Sequence, residues 1–312
     1  MWFRRTSGLD ALLQRPEQES FLRRFLRSPV TTTARLLYNY FTRKHPIPTQ
    51  QTDSSRVRVV CISDTHNTQP QLPDGDILIH AGDLTQSGTQ GELNAQIERL
   101  DAQPHRHKVV IAGNHELCLD PRFSDTATTI NWKSLIYLQN TSTTLEFGDD
   151  YTPRRLKVFG SPYTPKHGNW AFECLRTNSR FWGDVGIPED TDILITHGPP
   201  RGHLDLGWLG CSLLLERLWE IKRRPRLHVF GHIHGGYGAE IVCWDAFQRV
   251  YEGVMDRKVG WVGVVKSVYL GTARALLGRR FGLGGQDMIM VNAAVVGGVR
   301  DEKRREAICI DI

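Results

Sequence analysis

The 312-residue sequence has no run of 18 apolar residues. Its nearest approach, Val259 to Leu277, is broken by Lys266 and Arg274, which argues against a membrane-spanning helix. Its six cysteines (Cys61, Cys118, Cys174, Cys211, Cys243 and Cys309) include no CxxC pair and sit mostly among apolar neighbours. Reduced, buried thiols in an intracellular protein are expected rather than a disulfide framework. No apolar segment follows the first arginines as in a secretory signal, so the expected location is cytoplasmic. No internal repeat occurs, and the only biased tract is the Gly-rich stretch from Gly278 to Gly285. Most of the chain also lacks excess charge. The net charge is +5, yet residues 1–45 alone hold nine Lys and Arg against three acidic residues, leaving thirty against thirty-one elsewhere. A nucleic-acid binder more often carries a basic face on its folded part, so no stable nucleic-acid binding is expected.

What is present is globular material, with 40% hydrophobic, 23% charged and 9% aromatic residues. Residues 1–52 read as a basic N-terminal extension, partly helical. Phe21, Leu22, Phe25 and Leu26 share one helical face among arginines, Pro29 stops that helix, and Thr33 caps a second one carrying Leu36, Leu37, Tyr40 and Phe41. This extension has three readings: a basic amphipathic surface for an anionic membrane, an organelle transit segment, or an apolar face packed on the main domain. Peripheral membrane contact through residues 1–45 is thus one expectation. A polar linker follows from Thr49 to Ser55.

Residues 53–312 read as one α/β domain. Short β-branched runs (57–62, 77–79, 109–112, 193–195, 227–230, 288–293) read as buried strands, and 307–312 as the last one. Thr89 and Glu92 form a capping box before a helix, another helix covers 212–221, and 246–285 reads as a mostly helical insertion.

Chemistry appears immediately after the runs. In order come Asp64-Thr65-His66, Gly82-Asp83, Gly113-Asn114-His115-Glu116, His197 and Gly231-His232-Ile233-His234. Ligands of open α/β sheets bind beyond the carboxyl ends of strands, so parallel strands would gather these residues in one cleft. Asp64, His66, Asp83, Asn114, His197, His232 and His234 offer two carboxylates, four imidazoles and an amide oxygen, a set that suits two metals better than one. No thiolate belongs to it, which argues against a closed structural zinc site. His80 and His228, inside apolar runs, read as supporting rather than ligating. Glu116 reads as orienting His115 or capping a turn. Trp170 and Phe172 read as packing residues, and Asn292 as a turn residue. Arg201 and His203, after Pro199-Pro200, are candidates for substrate contact.

The full set resembles the calcineurin-like metallophosphoesterases, whose pattern runs D-x-H, G-D, G-N-H-[DE], H and G-H-x-H. Gly160 to Pro165, Thr196 to Pro200 and Asn292-Ala293 are similar to the metallophosphoesterase-domain-containing subgroup. The resemblance implies a four-layer αββα sandwich of two mixed sheets flanked by helices. It implies that Asp64, His66 and His234 hold one divalent metal and Asn114, His197 and His232 another, with Asp83 bridging. Manganese is the first expectation, with iron, zinc or magnesium as alternatives. A hydroxide held between such cations forms near neutral pH and attacks phosphorus in line, while His115 serves the leaving group and Asn114 touches both metal and phosphate. The implied activity is hydrolysis of phosphate esters, phosphodiesters and cyclic nucleotides first. Monoesters, diphosphates or phosphoproteins are alternatives with the same centre. A non-catalytic nucleotide-binding or scaffold protein would have lost a ligand or His115, and none is lost.

Overall fold

The computed structural model describes residues 20–42, 56–124, 129–148, 154–207, 209–277, 286–298 and 301–312. Residues 1–19, the 49–55 linker and the Gly-rich 278–285 lie outside the described residues. Two helices come first, α1 (Phe21–Arg27) and α2 (Pro29–Thr42). Pro29 does more than end α1. It opens α2, where its missing N–H has no partner to lose and its fixed φ suits the first turn. Thr33 therefore sits inside the helix, not at its cap, which corrects the sequence reading.

The strands are β1 (Arg58–Ile62), β2 (Ile77–His80), β3 (His107–Val110), β4 (Leu135–Tyr137), β5 (Thr141–Phe147) and β6 (Arg154–Ser161). After them come β7 (Ile193–Thr196), β8 (Leu227–Phe230), β9 (Gly238–Cys243), β10 (Asp287–Asn292) and β11 (Ile308–Asp311). One sheet has the order β11-β1-β2-β3-β4, with β11 antiparallel and the rest parallel. The other runs β9-β10-β8-β7-β6-β5, parallel in its middle and antiparallel at both edges.

Side chains alternate along each strand, so each sheet feeds two cores. Val59, Cys61, Ile77, Ile79 and Val109 meet Val158, Ile193, Ile195, Leu227 and Val229 between the sheets. The alternate residues Val60, Ile62, Leu78 and Val110 face Leu93, Ile97 and Leu100 of α3 (Gln90–Asp101). Thr89 and Glu92 form a reciprocal capping box at the start of α3. Beyond the second sheet, Phe159, Leu194, Phe230 and Met290 pack on Leu214 and Leu218 of α5 (Ser212–Glu220), beside Trp182 of the short α4 (Phe181–Val185). The layers are αββα. Full burial of each such side chain stabilises by roughly 1.5–3 kcal/mol.

Two more helices, α6 (Ala246–Met255) and α7 (Trp261–Leu277), carry α2. Ala34 and Tyr38 of α2 are buried against Phe247, Tyr251, Val254, Met255 and Val264, and the Tyr38 ring stacks on Tyr251 at 3.9 Å between centroids. Beneath this bundle lies a charged knot. His203 is fully buried, with Nδ1 2.8 Å from Glu240 and Nε2 3.1 Å from Glu252. Gln248 and Trp219 donate to Glu252 as well.

Burial alone would keep His203 neutral, but Glu240 and Glu252 outweigh it and push the pKa up to about 10 from an ordinary 6.5. A raised folded pKa adds stability that is complete below the unfolded value and is lost as pH rises through the folded one. The stability gap between wild type and His203→Asn, read from urea unfolding, is therefore expected to be widest below pH 6.5 and to narrow by ~2 kcal/mol or more towards pH 10. A gap constant across that window would mean the buried ring is neutral.

Candidate metal centre

Parallel register delivers the loops to one edge. Ile62 of β1 lies opposite His80 of β2, His80 opposite Val110 of β3, and Ile195 of β7 opposite Val229 of β8. The sheets meet at that edge. The Ser63 N–H donates to Ala293 O at 2.9 Å, and His197 Nδ1 is 2.8 Å from Ala81 O. Asp64 (φ 53), His66 (φ 43), Asp83 (φ 54) and His232 (φ 65) occupy the left-handed region. That conformation costs roughly 1–2 kcal/mol for a non-glycine residue and persists only where its surroundings enforce it. Close approach explains two glycines. A Cβ on Gly113 would stand 2.3 Å from Asp83 Oδ1, and one on Gly231 would stand 2.0 Å from Asp64 Oδ2.

The donor atoms converge. His66 Nε2 and His234 Nε2 are 3.4 Å apart, and His234 Nε2 is 3.2 Å from Asp64 Oδ1. His197 Nε2 is 3.3 Å from Asp83 Oδ2 and 3.1 Å from Asn114 Oδ1, while His66 Nε2 is 3.8 Å from Asp83 Oδ2. Atoms that each lie about 2.1 Å from one cation must be roughly 3–4.2 Å from one another. Three groups have compatible spacing, Asp64–His66–His234, His66–Asp83–His115 and Asp83–His197–His232, each with ligand atoms within 4.8 Å. The first and last are linked by the middle one, so the donor set fits a pair of cations. Its charge fits as well. Burial opposes ionisation of both carboxylates, but His234 holds Asp64 down at about 2 and His197 holds Asp83 well below the usual range. In return, against the pull of burial, Asp83 raises His197 to about 9, and Asp301 with Asp64 raises His234 to about 10.

Several of the imidazoles are aimed from behind. His66 Nδ1 is 3.2 Å from Thr85 O, His115 Nδ1 2.7 Å from Gln86 O, and His234 Nδ1 2.8 Å from Asp301. Such contacts fix which ring nitrogen faces inward. Buried Glu116 accepts from the N–H groups of Asp83 (3.0 Å), Thr85 (2.9 Å) and Gly113 (2.6 Å), and so staples the loop after β2 to the loop after β3. Burial pushes its pKa to about 7. His80 and His228 are buried and bond Thr65 (2.9 Å) and Thr196 (2.8 Å), the neighbours of Asp64 and His197. Asn292 donates to Leu204 O and Ile233 O at 3.0 and 2.9 Å, tying two site loops together.

Two candidates require correction. His203, with both nitrogens facing glutamates and no exposed surface, has no atom left for substrate. Arg201 pairs with Asp256 at 2.8 Å, so its charge meets a carboxylate of the helical module rather than a phosphate. Of the two aromatics, Phe172 is buried, but half-exposed Trp170 stacks on His115 at 4.7 Å between centroids and is a wall of the cleft as well as a packing residue. His167 was missed; its ring lies edge-on to His232 at 5.0 Å. So was Asp301, which bonds His234 Nδ1 and stands in no motif.

The chain resembles known proteins over this region and, in one case, over nearly its whole length. The calcineurin-like phosphoesterase family model matches residues 57–236, which contain all seven donors and His115. An Emericella nidulans protein named probable rhamnogalacturonate lyase C is 56% identical over 308 residues, 97% of this chain but 29% of that protein. Human metallophosphoesterase domain-containing protein 1 is 40% identical over 201 residues, 58% of this chain and 61% of that one. A UPF0046 protein of Caenorhabditis elegans is 36% identical over 204 residues, 58% of this chain and 65% of that one. The chain thus spans under one third of the first relative's length and under two thirds of the other two. The matched model and the αββα sandwich that carries its motifs at one sheet edge make this chain a member of the calcineurin-like phosphoesterase family.

Proposed function

We propose that the protein hydrolyses phosphate esters with two divalent cations, and that phosphodiesters, cyclic nucleotides among them, are its preferred class. The observation that carries this reading is the pair of donor triads linked through His66 and Asp83. Asp64, His66 and His234 would hold one ion, Asn114, His197 and His232 the other, and Asp83 both. Manganese is the first choice for this mixed imidazole and carboxylate set. Such ions, when bound, neutralise phosphoryl charge and acidify water near neutral pH.

The chain's own residues supply the rest. With its Nδ1–H donating to Gln86 O, His115 presents Nε2 to the leaving oxygen and, as the imidazolium, can hand it that nitrogen's proton and remain a neutral ring. Its backbone N–H donates to Asp83 Oδ1 at 2.9 Å, which couples the acid to the shared carboxylate. Trp170 fixes the His115 ring and offers a flat face to the leaving group. Neither carries fixed positive charge, and nearby Arg122 is engaged by Asp120 at 2.7 Å. A singly charged diester suits such a rim better than a doubly charged monoester. Six free thiols suit a reducing compartment, so we place this activity in the cytoplasm.

Purified protein with Mn²⁺ is expected to turn over bis-p-nitrophenyl phosphate faster than p-nitrophenyl phosphate, and EDTA to abolish both. Turnover of neither ester with any divalent metal would sink the proposal. Asp83→Asn is expected to lower kcat/KM by ~100-fold or more and to weaken metal uptake in calorimetry; unchanged activity would remove Asp83 from the centre. His115→Ala is expected to cost ~100-fold in kcat. The loss should be larger for a poor leaving group such as phenol than for p-nitrophenol, and equal losses would rule out the acid role.

A further inference from the structure

The helical module outside the family match carries a surface that catalysis does not use. On α7, Trp261, Val262, Val265, Val268, Tyr269 and Leu276 are between 43% and 80% exposed. Helical spacing puts them on one stripe, opposite Val264, Ser267 and Gly271, which face the bundle. At 17 residues, the helix runs for roughly 25 Å. On α1 no residue is buried, and Phe21, Leu22, Phe25 and Leu26 are 36–74% exposed beside Arg23, Arg24 and Arg27. Leu36 and Tyr40 of α2 are exposed as well. Scattered apolar side chains need no explanation, but contiguous exposed stripes mark an interaction surface. Among the described residues no helix is long and apolar enough to cross a bilayer.

Next to α1 and α2 lies a cavity of about 360 Å³. Arg24, Arg27, Arg35 and Arg257 line it with Phe21, Leu36 and Met255, and no carboxylate belongs to its lining among the described residues. Ser28, Thr31 and Thr32 at the start of α2 line it too, at the electropositive end of a 14-residue helix. Guanidinium groups over an apolar floor, with Arg35 also bonded to Tyr251, suit a phosphate joined to a hydrocarbon body. Residues 1–45, which include three of these arginines, hold nine basic residues against three acidic. Stable attachment to a bilayer takes two weak signals, apolar insertion and attraction to anionic lipid, and both are present here.

We propose that α1, α2 and α7 dock the protein on an anionic phospholipid surface, with the arginine-lined cavity receiving a lipid phosphate. Nucleic acid is the poorer fit, because the exposed valines and leucines would gain nothing from it. The proposal is independent of the phosphoesterase reading and is tested without measuring activity.

The full chain is expected to sediment with vesicles of phosphatidylcholine plus phosphatidylserine but not with phosphatidylcholine alone, and salt should release it. Arg24→Glu with Arg257→Glu, both at exposed positions, is expected to weaken vesicle binding by ~10-fold or more. Val265→Asp with Tyr269→Asp should do the same from the apolar side, with unchanged circular dichroism in both pairs. Equal binding to neutral vesicles would overturn the proposal. So would tight binding of inorganic phosphate without vesicle binding, which would make the cavity a site for soluble phosphate. Self-association in light scattering without vesicle binding would make the stripe a contact between copies, and overturn it too.

Discussion

Two carboxylates, Asp64 and Asp83, are buried where the two sheets meet, and the rest of the site compensates for that burial. A buried carboxylate is costly unless positive charge or hydrogen-bond donors stand close by. Here the donors are few and specific. The His232 N–H reaches both oxygens of Asp64 at 2.9–3.0 Å, and the His115 N–H reaches Asp83 at 2.9 Å. The remaining charge is met chiefly by His234 and His197 from the other sheet, with His66 also facing Asp83, and four of the donors lie in a left-handed backbone conformation. A site assembled this way stores strain that bound cations would stabilise. The two glycines that pass within contact of the carboxylates belong to the same economy of space.

That constraint reaches outward through single residues. Glu116 is bonded to three backbone N–H groups on two loops, so the positions of Asp83 and Asn114 depend on one another. Asp301 and Arg305 do the same for the last histidine. Asp301 bonds its ring, while Arg305 donates to the carbonyls of His234 (2.6 Å) and Val296 (2.9 Å). The segment near the C-terminus is therefore part of the site's framework, although no sequence motif marks it.

The helical module is joined to this framework by polar contacts rather than by the sheet cores. His203 follows the His197 loop and is clamped by Glu240 of β9 and Glu252 of α6. Tyr38 of α2 then stacks on Tyr251 of the same helix. One side of the module is thus anchored to the sandwich, while α1 and the outer stripe of α7 face solvent.

The central parallel strands β1, β2, β3, β7, β8 and β10 and the donors were legible because both are local signals: β-branched runs, each followed at once by Asp, Asn or His. Edge strands β5 and β9, and β6 beside β5, were not read, since polar residues on their exposed faces blur the alternation, and edge strand β4 is only three residues long. Arg201 and His203 follow the Pro-Pro turn and looked ready for substrate. Only folding brings up Asp256, Glu240 and Glu252, from 37 to 55 positions away, to claim them. Trp170 and Asp301 are similar cases, each given its place by a partner distant in the chain. By itself the sequence determined which residue types stand at the strand ends and the family to which they belong. The tertiary structure decided which face each helix leaves uncovered, which histidines aim inward and which charges are already paired, because those depend on contacts between segments that share no local pattern.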